Sequence, residues 1–207
     1  LLSGGDTVFS NKLSFTITSI GFANNIIYIN KAKINDDIYV SGNLGDSFIG
    51  LLVLKNKIKI HNQLCKYFTK QYFTPNIQSK LTDQIKKFAN TSIDISDGLF
   101  ADLEKMINSQ KFSYNINLKK VPISNNLMKV LNLKKLSKIN YISNGDDYQI
   151  LFTASKNKRR IIKRISSNYR IKLTKIGSIQ NSNKKSSIYD GEKSIIGFKN
   201  KGYFHQF

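Results

Sequence analysis

The sequence has no tryptophan, two prolines and one cysteine among its 207 residues. A single cysteine, Cys65, can form neither an internal disulfide nor a cysteine-cluster metal site, and it fits a reducing cytosol. No apolar run approaches the length that spans a bilayer, and residues 1–7 carry neither the basic nor the apolar region of a signal peptide. We therefore expect a cytoplasmic globular protein and no membrane partner.

Acidic residues are also scarce, since 13 acids stand against 33 bases and the net charge is +20. Such a charge can indicate a nucleic-acid or polyphosphate partner. The alternative is a biased composition, because the chain is rich in Lys, Asn and Ile and its lysines are scattered. We find neither an aromatic-interleaved basic patch nor a known nucleic-acid module, so we favour the compositional explanation and expect no nucleic-acid partner.

The few acids are placed more selectively than the bases. Eleven of the 13 are Asp, and most stand beside Gly or Ser in four short clusters: Asp6; Asp36, Asp37 and Asp46; Asp94, Asp97 and Asp102; Asp146 and Asp147. Short carboxylates at glycine turns suit a hard cation such as Mg²⁺. Turn chemistry alone also favours Asp beside Gly, so both explanations stay open for each cluster.

Strand and helix patterns alternate along the chain. The predicted strands are 13–20, 26–29, 38–41, 91–95, 113–118, 148–153, 171–179 and 187–196, the last split by a turn at 190–191. The predicted helices are 46–54, 61–72, 78–89, 99–109, 124–131 (with Ser124 as the cap) and 156–166 (with Ile161, Ile162 and Ile165 inward). This alternation predicts an α/β or α+β class, and the irregular spacing favours α+β. We place a domain boundary near residues 33–37.

The segment 93–99 is the strongest candidate for chemistry. Strand alternation puts Asp94 and Ser96 on one face, and Gly98 lets the chain turn sharply into a helix. Asp97 stands about where a helix cap would be. Two carboxylates and a hydroxyl therefore converge at one strand end, which is half of a shell for Mg²⁺. A capped strand-to-helix turn is the alternative, and it explains Asp97 but leaves Asp94 without a purpose.

Three other glycine-containing segments carry weaker signals. In residues 4–7 the paired glycines allow close approach to a phosphate, and Asp6 can hold a metal. Residues 145–148 form a polar turn before a buried strand. The loop 42–45 resembles a phosphate cradle but lacks the Lys and Ser/Thr of a P-loop, so we interpret it as an interdomain turn.

Taken in order, five strings resemble the thiamine-monophosphate kinase family, part of the wider aminoimidazole-ribonucleotide synthetase-like superfamily. They are GGDT, DDIYVSGNLGDSFIGLLVL, IDISDGLFADL, GDDYQILFT and GYFHQF, and the resemblance runs along essentially the whole chain. It implies that residues 1–33 are remnant strands of an N-terminal ATP-binding domain and that residues 34–207 form the C-terminal α+β domain.

The resemblance also implies an activity and a set of site residues. The family transfers the γ-phosphoryl group of ATP to thiamine monophosphate, with Mg²⁺ held by aspartates, and its members form homodimers. Matched by position, the implied residues are Gly5, Asp6 and Ser96 for ATP, Asp6, Asp94 and Asp97 for Mg²⁺, and Gln149 and Tyr203 for thiamine monophosphate.

The chain departs from the family at several positions. The Arg that follows GGDT in the family is absent, an ATP-contacting Arg is replaced by Ile29, Gln149 stands where the family has Glu, and the tail has an extra Gln206. The front of the N-terminal domain is missing, so we expect a fragment that does not make thiamine diphosphate at the family's rate on its own. Two alternatives stay open: a non-catalytic basic binding protein descended from the family, and a sister ATP-using enzyme of the superfamily.

Overall fold

The computed structural model describes residues 4–5, 7–9, 11–195 and 202. In this part of the chain, seven strands form one sheet: β1 (Asp37–Ser41), β2 (Thr91–Ile95), β3 (Ser113–Asn117), β4 (Gln149–Ala154), β5 (Leu173–Gln180), β6 (Ser187–Asp190) and β7 (Lys193–Ile195). Their spatial order is β2-β4-β1-β5-β3-β6-β7. Neighbouring strands are antiparallel except β3 and β6, which are parallel.

Helices pack on both faces of this sheet, and four of them form a separate apolar cluster. The helices are α1 (Asp46–Leu54), α2 (Asn62–Phe73), α3 (Thr82–Ile85), α4 (Leu99–Ile107), α5 (Asn125–Lys134), α6 (Ile139–Ile142) and α7 (Arg159–Tyr169). Helix α4 shares a core with one sheet face, and α3 and α7 share a core with the other. Helices α1, α2, α5 and α6 enclose a third apolar cluster. The predicted α+β class is confirmed.

Strand alternation explains why β1 separates two of these cores. Ile38 and Val40 point into the core shared with α4, whereas Tyr39 points into the opposite core. There its ring stacks on Phe152 of β4 with the centroids 5.2 Å apart. Strand β1 is therefore buried on both faces, and its register is set by apolar contacts on each side.

Several predicted element ends are confirmed by local contacts. Ser124 caps α5, because the Leu127 N–H donates to its Oγ at 2.9 Å. In α7, Ile162 and Ile165 are buried as expected, but Ile161 is only half-buried. The helix predicted over 78–89 is instead a 3₁₀ turn at Ser79–Leu81 followed by the short α3. Among the described residues, no helix is both long and apolar enough to cross a membrane.

The two strands predicted before residue 33 are wrong. Residues 13–20 and 26–29 take no strand conformation, and the alternating Leu13, Phe15 and Ile17 are 84–91% exposed. A period-two pattern produces a strand only where a second strand pairs with it. Residues 13–29 pair with no strand in the part of the chain that the structure describes.

The chain joins the folded unit at residues 28–33. The Asn30 N–H donates to the Met106 carbonyl at 2.8 Å, and the Ala32 N–H donates to Gln110 Oε1 at 3.0 Å. Ala32 is buried in the core shared with α4. The domain boundary near residue 33 stays a prediction, since these contacts show only where the chain begins to pack.

We had expected the loop 42–45 to be an interdomain turn, and this prediction is wrong. It joins β1 directly to α1, and Gly42 and Gly45 take left-handed φ values of 57° and 89°. The Gly42 N–H donates to the Lys172 carbonyl at 2.9 Å, and the Leu44 N–H to the Pro122 carbonyl at 3.0 Å. The loop is thus built into the folded unit and positions the start of α1.

Candidate functional site

Two motifs that are 50 residues apart in sequence meet at one edge of the sheet. Strand β2 is the edge strand and lies beside β4, so the turn after β2 contacts the loop before β4. The Asp146 N–H donates to the Ser96 carbonyl and the Tyr148 N–H to the Ile95 carbonyl, both at 2.9 Å. The segments 93–99 and 145–148 therefore build a single site.

Glycines make this contact possible. A Cβ at Gly145 would lie 1.7 Å from the Ser96 carbonyl oxygen, and one at Gly98 would lie 2.1 Å from the Ser143 carbonyl oxygen. Both obstacles are backbone atoms, which cannot rotate away as a side chain would. Gly98 also has a φ of 122°, which other residues rarely adopt. Each loop therefore needs its glycine for the two backbones to touch.

Asp97 does not cap α4, so the capped turn that we gave as the alternative for this residue is wrong. Asp102, inside the helix, reaches back instead, and its Oδ2 accepts the N–H groups of Ser96, Asp97 and Gly98 at 3.0, 2.9 and 3.1 Å. Burial raises the pKa of Asp102, while these bonds and Lys105 oppose the rise. Lys105 forms salt bridges with both Asp97 and Asp102. The turn is therefore fixed by Asp102, and the Asp97 carboxylate does not bond to the backbone of the turn.

A cleft of about 540 Å³ opens at this turn. One side is acidic and polar, and the other is largely apolar and is formed by α1 and α2. Its lining residues are Phe48, Leu51, Lys55, Tyr72, Ser96, Asp97, Asn144, Gly145, Asp146 and Tyr148. Predicted site residues Ser96 and Asp97 thus share a cleft with Asp146 and Tyr148, which belong to the 145–148 segment that the sequence indicated only weakly and to which it assigned no site role.

Asp97 and Asp146 line this cleft, whereas Asp94 lines a different pocket. Because the charges of all three act on Tyr148 in the cleft, we call Asp94, Asp97 and Asp146 the cleft acids. Burial, and then the charge of Asp97, raise the pKa of Asp146. The pKa of Tyr148 is raised by burial and then by Asp146, Asp94, Tyr72 and Asp97. Asp94 is exposed on β2 and forms no salt bridge within the described part of the chain. The negative charges of all three cleft acids therefore disfavour ionisation of the Tyr148 hydroxyl.

The loop that carries Asp146 and Tyr148 is strained and anchored. These two residues have φ values of 65° and 49°, and a left-handed conformation costs a non-glycine residue about 1–2 kcal/mol. Asp147 between them is buried, and its carboxylate accepts the Gly45 N–H at 2.7 Å and the Ser47 N–H at 3.4 Å. Burial raises the pKa of Asp147 to about 8. Asp147 thus holds the loop to the start of α1, a function that only the folded structure reveals.

Gln149 lies in a second cavity of about 500 Å³. It is buried, and its Oε1 accepts the Ser41 hydroxyl at 2.9 Å while its Nε2 donates to the Asn76 carbonyl at 2.9 Å. A Cβ at Gly42 would lie 2.2 Å from Gln149 Oε1, so the loop 42–45 closes tightly over this amide. The structure therefore separates Gln149 from the cleft that Ser96 and Asp97 line.

The remaining predicted residues lie near the chain ends. Gly5 is exposed, and a Cβ there would have nothing within 4 Å, so the structure does not bring it to the cleft. Asp6 and Tyr203 lie outside the described residues. Gly202 lies against the start of α4, where an added Cβ would be 2.9 Å from the Asp97 carbonyl oxygen. Gly202, the one residue of the closing motif that the structure describes, therefore lies beside the turn that carries Asp97.

Asp36 and Asp37, which we call the β1 acids, are held by the fold. Asp36 accepts hydrogen bonds from the Lys33 N–H, Asn90, Thr153 and Ser155. Asp37 is fully buried and bonds Arg159 at 2.5 and 2.9 Å and Lys175 at 2.7 Å. Burial opposes ionisation of Asp37, but these two cations outweigh it and lower its pKa below 3.8. A bound metal ion such as Mg²⁺ is therefore not needed to explain Asp36 and Asp37.

The donor atoms at the cleft suit Mg²⁺ by type. Carboxylate and hydroxyl oxygens are the ligands that Mg²⁺ takes, and it commonly uses one or two carboxylates plus substrate phosphates and water. Within the described ranges, no three His, Cys, Asp or Glu side chains are grouped closely enough to hold a metal ion. The described residues thus offer a partial oxygen shell.

Comparison with known proteins defines the fold first. The chain matches no protein-family model. Escherichia coli HypE has a similar fold, with a TM-score of 0.60 at 14% identity over 88% of this chain and 53% of HypE. Thiamine-monophosphate kinase from Stenotrophomonas maltophilia matches with a TM-score of 0.70 at 23% identity, over 83% of this chain and 55% of that one. The chain therefore has the aminoimidazole-ribonucleotide synthetase-like fold.

Sequence similarity is more specific. The chain is 37% identical to the thiamine-monophosphate kinase of Buchnera aphidicola (from Acyrthosiphon pisum), over 99% of this chain and 63% of that protein. The AaThiL structure complexed with AMPPCP and TMP has 27% identity and a TM-score of 0.67, over 84% of this chain and 53% of that one. The chain is a homologue of the thiamine-monophosphate kinases, as the motifs indicated, and it spans less than two thirds of their length.

Proposed function

We propose that this chain is the part of an ATP- and Mg²⁺-dependent thiamine-monophosphate kinase that carries the cleft acids. The whole enzyme would transfer the γ-phosphoryl group of ATP to thiamine monophosphate and give thiamine diphosphate. The observation that carries this proposal is the 37% identity to a thiamine-monophosphate kinase along 99% of the chain. The meeting of two of the family-like motifs at one cleft supports it.

The reaction needs positioning and charge neutralisation more than it needs a nucleophilic side chain. A phosphate oxygen of thiamine monophosphate forms a bond to the γ-phosphorus of ATP, and the bond from that phosphorus to the β-phosphate oxygen breaks. When bound, Mg²⁺ supplies positive charge to the polyphosphate. Asp94 and Asp97 would hold Mg²⁺, and Ser96 would contact ATP. Asp102 keeps this turn in shape through its three N–H bonds.

Lys105 forms a salt bridge with Asp97 in the structure, and this contact is compatible with a metal-binding role for Asp97. Its ammonium group bonds Asp97 and also lies 3.2 Å from Asp102 Oδ1, and its side chain is 49% exposed. It can therefore stay with Asp102 when a divalent cation approaches Asp97. A fully buried lysine would not have this freedom.

The remaining roles rest on the resemblance alone and belong to the same proposal. They are Gly5 and Asp6 for ATP and Mg²⁺, and Gln149 and Tyr203 for thiamine monophosphate. Gln149 is neutral and bonded within its own cavity, so it would meet a substrate only if that cavity opens toward it. A homodimer and a cytoplasmic location complete the proposal.

Calorimetric titration of the purified chain tests this function. We expect AMPPCP to bind only when Mg²⁺ is present, and thiamine monophosphate to bind separately. Asp97→Asn should weaken the Mg²⁺-dependent affinity for AMPPCP by about tenfold or more, as changes around a metal typically do. Asp190→Asn is the matched control, because Asp190 is exposed at the end of β6, near the opposite edge of the sheet, and Asn is as suitable as Asp at the residue before a turn.

The same titrations separate the alternatives. A chain that binds neither ligand but binds RNA with a steep salt dependence would be a basic binding protein instead. Binding of AMPPCP without thiamine monophosphate would favour a sister ATP-using enzyme.

A further inference from the structure

Tyr148 combines a strained backbone with an exposed ring. Its φ of 49° lies in the left-handed region, which bulky side chains rarely adopt, and the residue is 42% exposed. Its N–H is bonded to the Ile95 carbonyl, so the conformation is imposed by the contact between the two loops. If closing this turn were the only requirement, Asn or Gly would meet it with less strain. The aromatic ring therefore needs another explanation.

The surroundings of the ring have a definite chemical character. Tyr148 shares the cleft with two further aromatic residues, Phe48 of α1 and Tyr72 of α2. The acidic side of the same cleft contains Asp97 and Asp146. Aromatic faces attract flat cations, and carboxylates nearby favour the same sign of charge. A positively charged aromatic ring matches both sides of the cleft.

We infer that Tyr148 is a specificity residue whose ring receives the cationic thiazolium ring of thiamine monophosphate. This inference rests on the proposed function and adds a residue that the family resemblance did not assign. Adenine is also flat, but it is neutral and gains nothing from Asp97 and Asp146. The phosphate of the substrate would then extend along the cleft, where Lys55 is the lining residue with a positive charge.

Tyr148→Asn tests the inference because it removes the ring and suits the left-handed backbone. We expect a melting temperature equal to or above that of the parent chain, since strain is relieved. The Kd for thiamine monophosphate should rise about tenfold, the loss expected when a desolvated cation–π contact is removed. The Kd for AMPPCP with Mg²⁺ should stay within about twofold. Tyr148→Phe keeps the ring and should bind thiamine monophosphate nearly as well as the parent chain.

Tyr169→Asn is the matched control. Tyr169 is 37% exposed at the end of α7, which packs on the sheet face opposite α4. Its replacement should leave both dissociation constants unchanged. Two results for Tyr148→Asn would contradict this inference and leave the proposed function standing. One is an unchanged Kd for thiamine monophosphate, and the other is a weaker affinity for AMPPCP alone. A parent chain that binds no thiamine monophosphate contradicts the proposed function itself.

Discussion

The β1 acids and the cleft acids are the same residue type in opposite situations. Asp37 is buried against Arg159 and Lys175, and its pKa is lowered below 3.8. Asp146 lines an open cleft, and burial and the charge of Asp97 raise its pKa. The charge of Asp37 is neutralised inside the fold by two cations, whereas Asp94 and Asp146 form no salt bridge among the described residues and the Lys105 that pairs with Asp97 is half-exposed. The structural carboxylate Asp37 is fully buried among its ion pairs, whereas the cleft acids are exposed or partly exposed and open to a ligand.

The largest effect should come from the backbone contact that builds the cleft. Gly145→Ala places a Cβ 1.7 Å from the Ser96 carbonyl oxygen, so the two loops must move apart. We expect a loss of about 3 kcal/mol in the free energy of unfolding, measured by urea denaturation. Gly21→Ala is the control, because a Cβ there has nothing within 4 Å, and it should change stability by less than about 0.5 kcal/mol. Equal stabilities for both variants would show that the loops do not touch as described.

A smaller loss should follow when the β1 acids are altered. Asp37→Asn removes the charge that holds Arg159 and Lys175, and we expect a loss of about 2 kcal/mol at pH 7. Both cations are partly exposed, so they can turn toward water and limit the cost. The affinity for AMPPCP with Mg²⁺ should not change. If this variant lost nucleotide binding at full stability, the assignment of the two clusters would be reversed.

The same variant should show a defined pH dependence. Because the folded-state pKa of Asp37 is lowered from 3.8, its contribution to stability is fully present above that pH. The contribution is lost as pH falls through the folded-state pKa. The difference in unfolding free energy between the parent chain and Asp37→Asn should therefore be constant from pH 5 to 7 and shrink below about pH 4. A difference that persists unchanged at pH 2.5 would contradict the ion-pair explanation.

The sequence predicted local structure well where the pattern was self-contained. The bounds of α1, the cap at Ser124 and the strand β2 follow from short-range signals that packing did not override. The strands expected over 13–20 and 26–29 failed, because their alternation has no partner strand in the described residues. Pairing is a long-range property, and a local pattern cannot reveal it.

The part of the site that lies in one continuous motif was predictable from the sequence, and the part that depends on long-range contacts was not. Ser96 and Asp97 were identified from one continuous motif, and the structure places both at the cleft. The capped-turn alternative named Asp97, although Asp102 bonds the backbone of the turn. A side chain that reaches back along a helix leaves little trace in the sequence. Tyr148 and Asp147 gain their roles from contacts to residues about 50 and 100 positions away. The one local trace of the Asp102 bonds is the position of this acid, four residues after Gly98.

The most direct test compares the melting temperatures of the parent chain and Asp94→Asn, each with and without Mg²⁺ and ATP. Asp94 forms no salt bridge among the described residues, and its charge acts on Tyr148 together with the charges of Asp97 and Asp146. Removing its charge should therefore leave the ligand-free protein as stable or slightly more stable. We predict that the parent chain gains stability from Mg²⁺ and ATP and that Asp94→Asn loses most of this gain. An Asp94→Asn chain that is destabilised without ligand, yet gains as much from Mg²⁺ and ATP as the parent, would contradict the account.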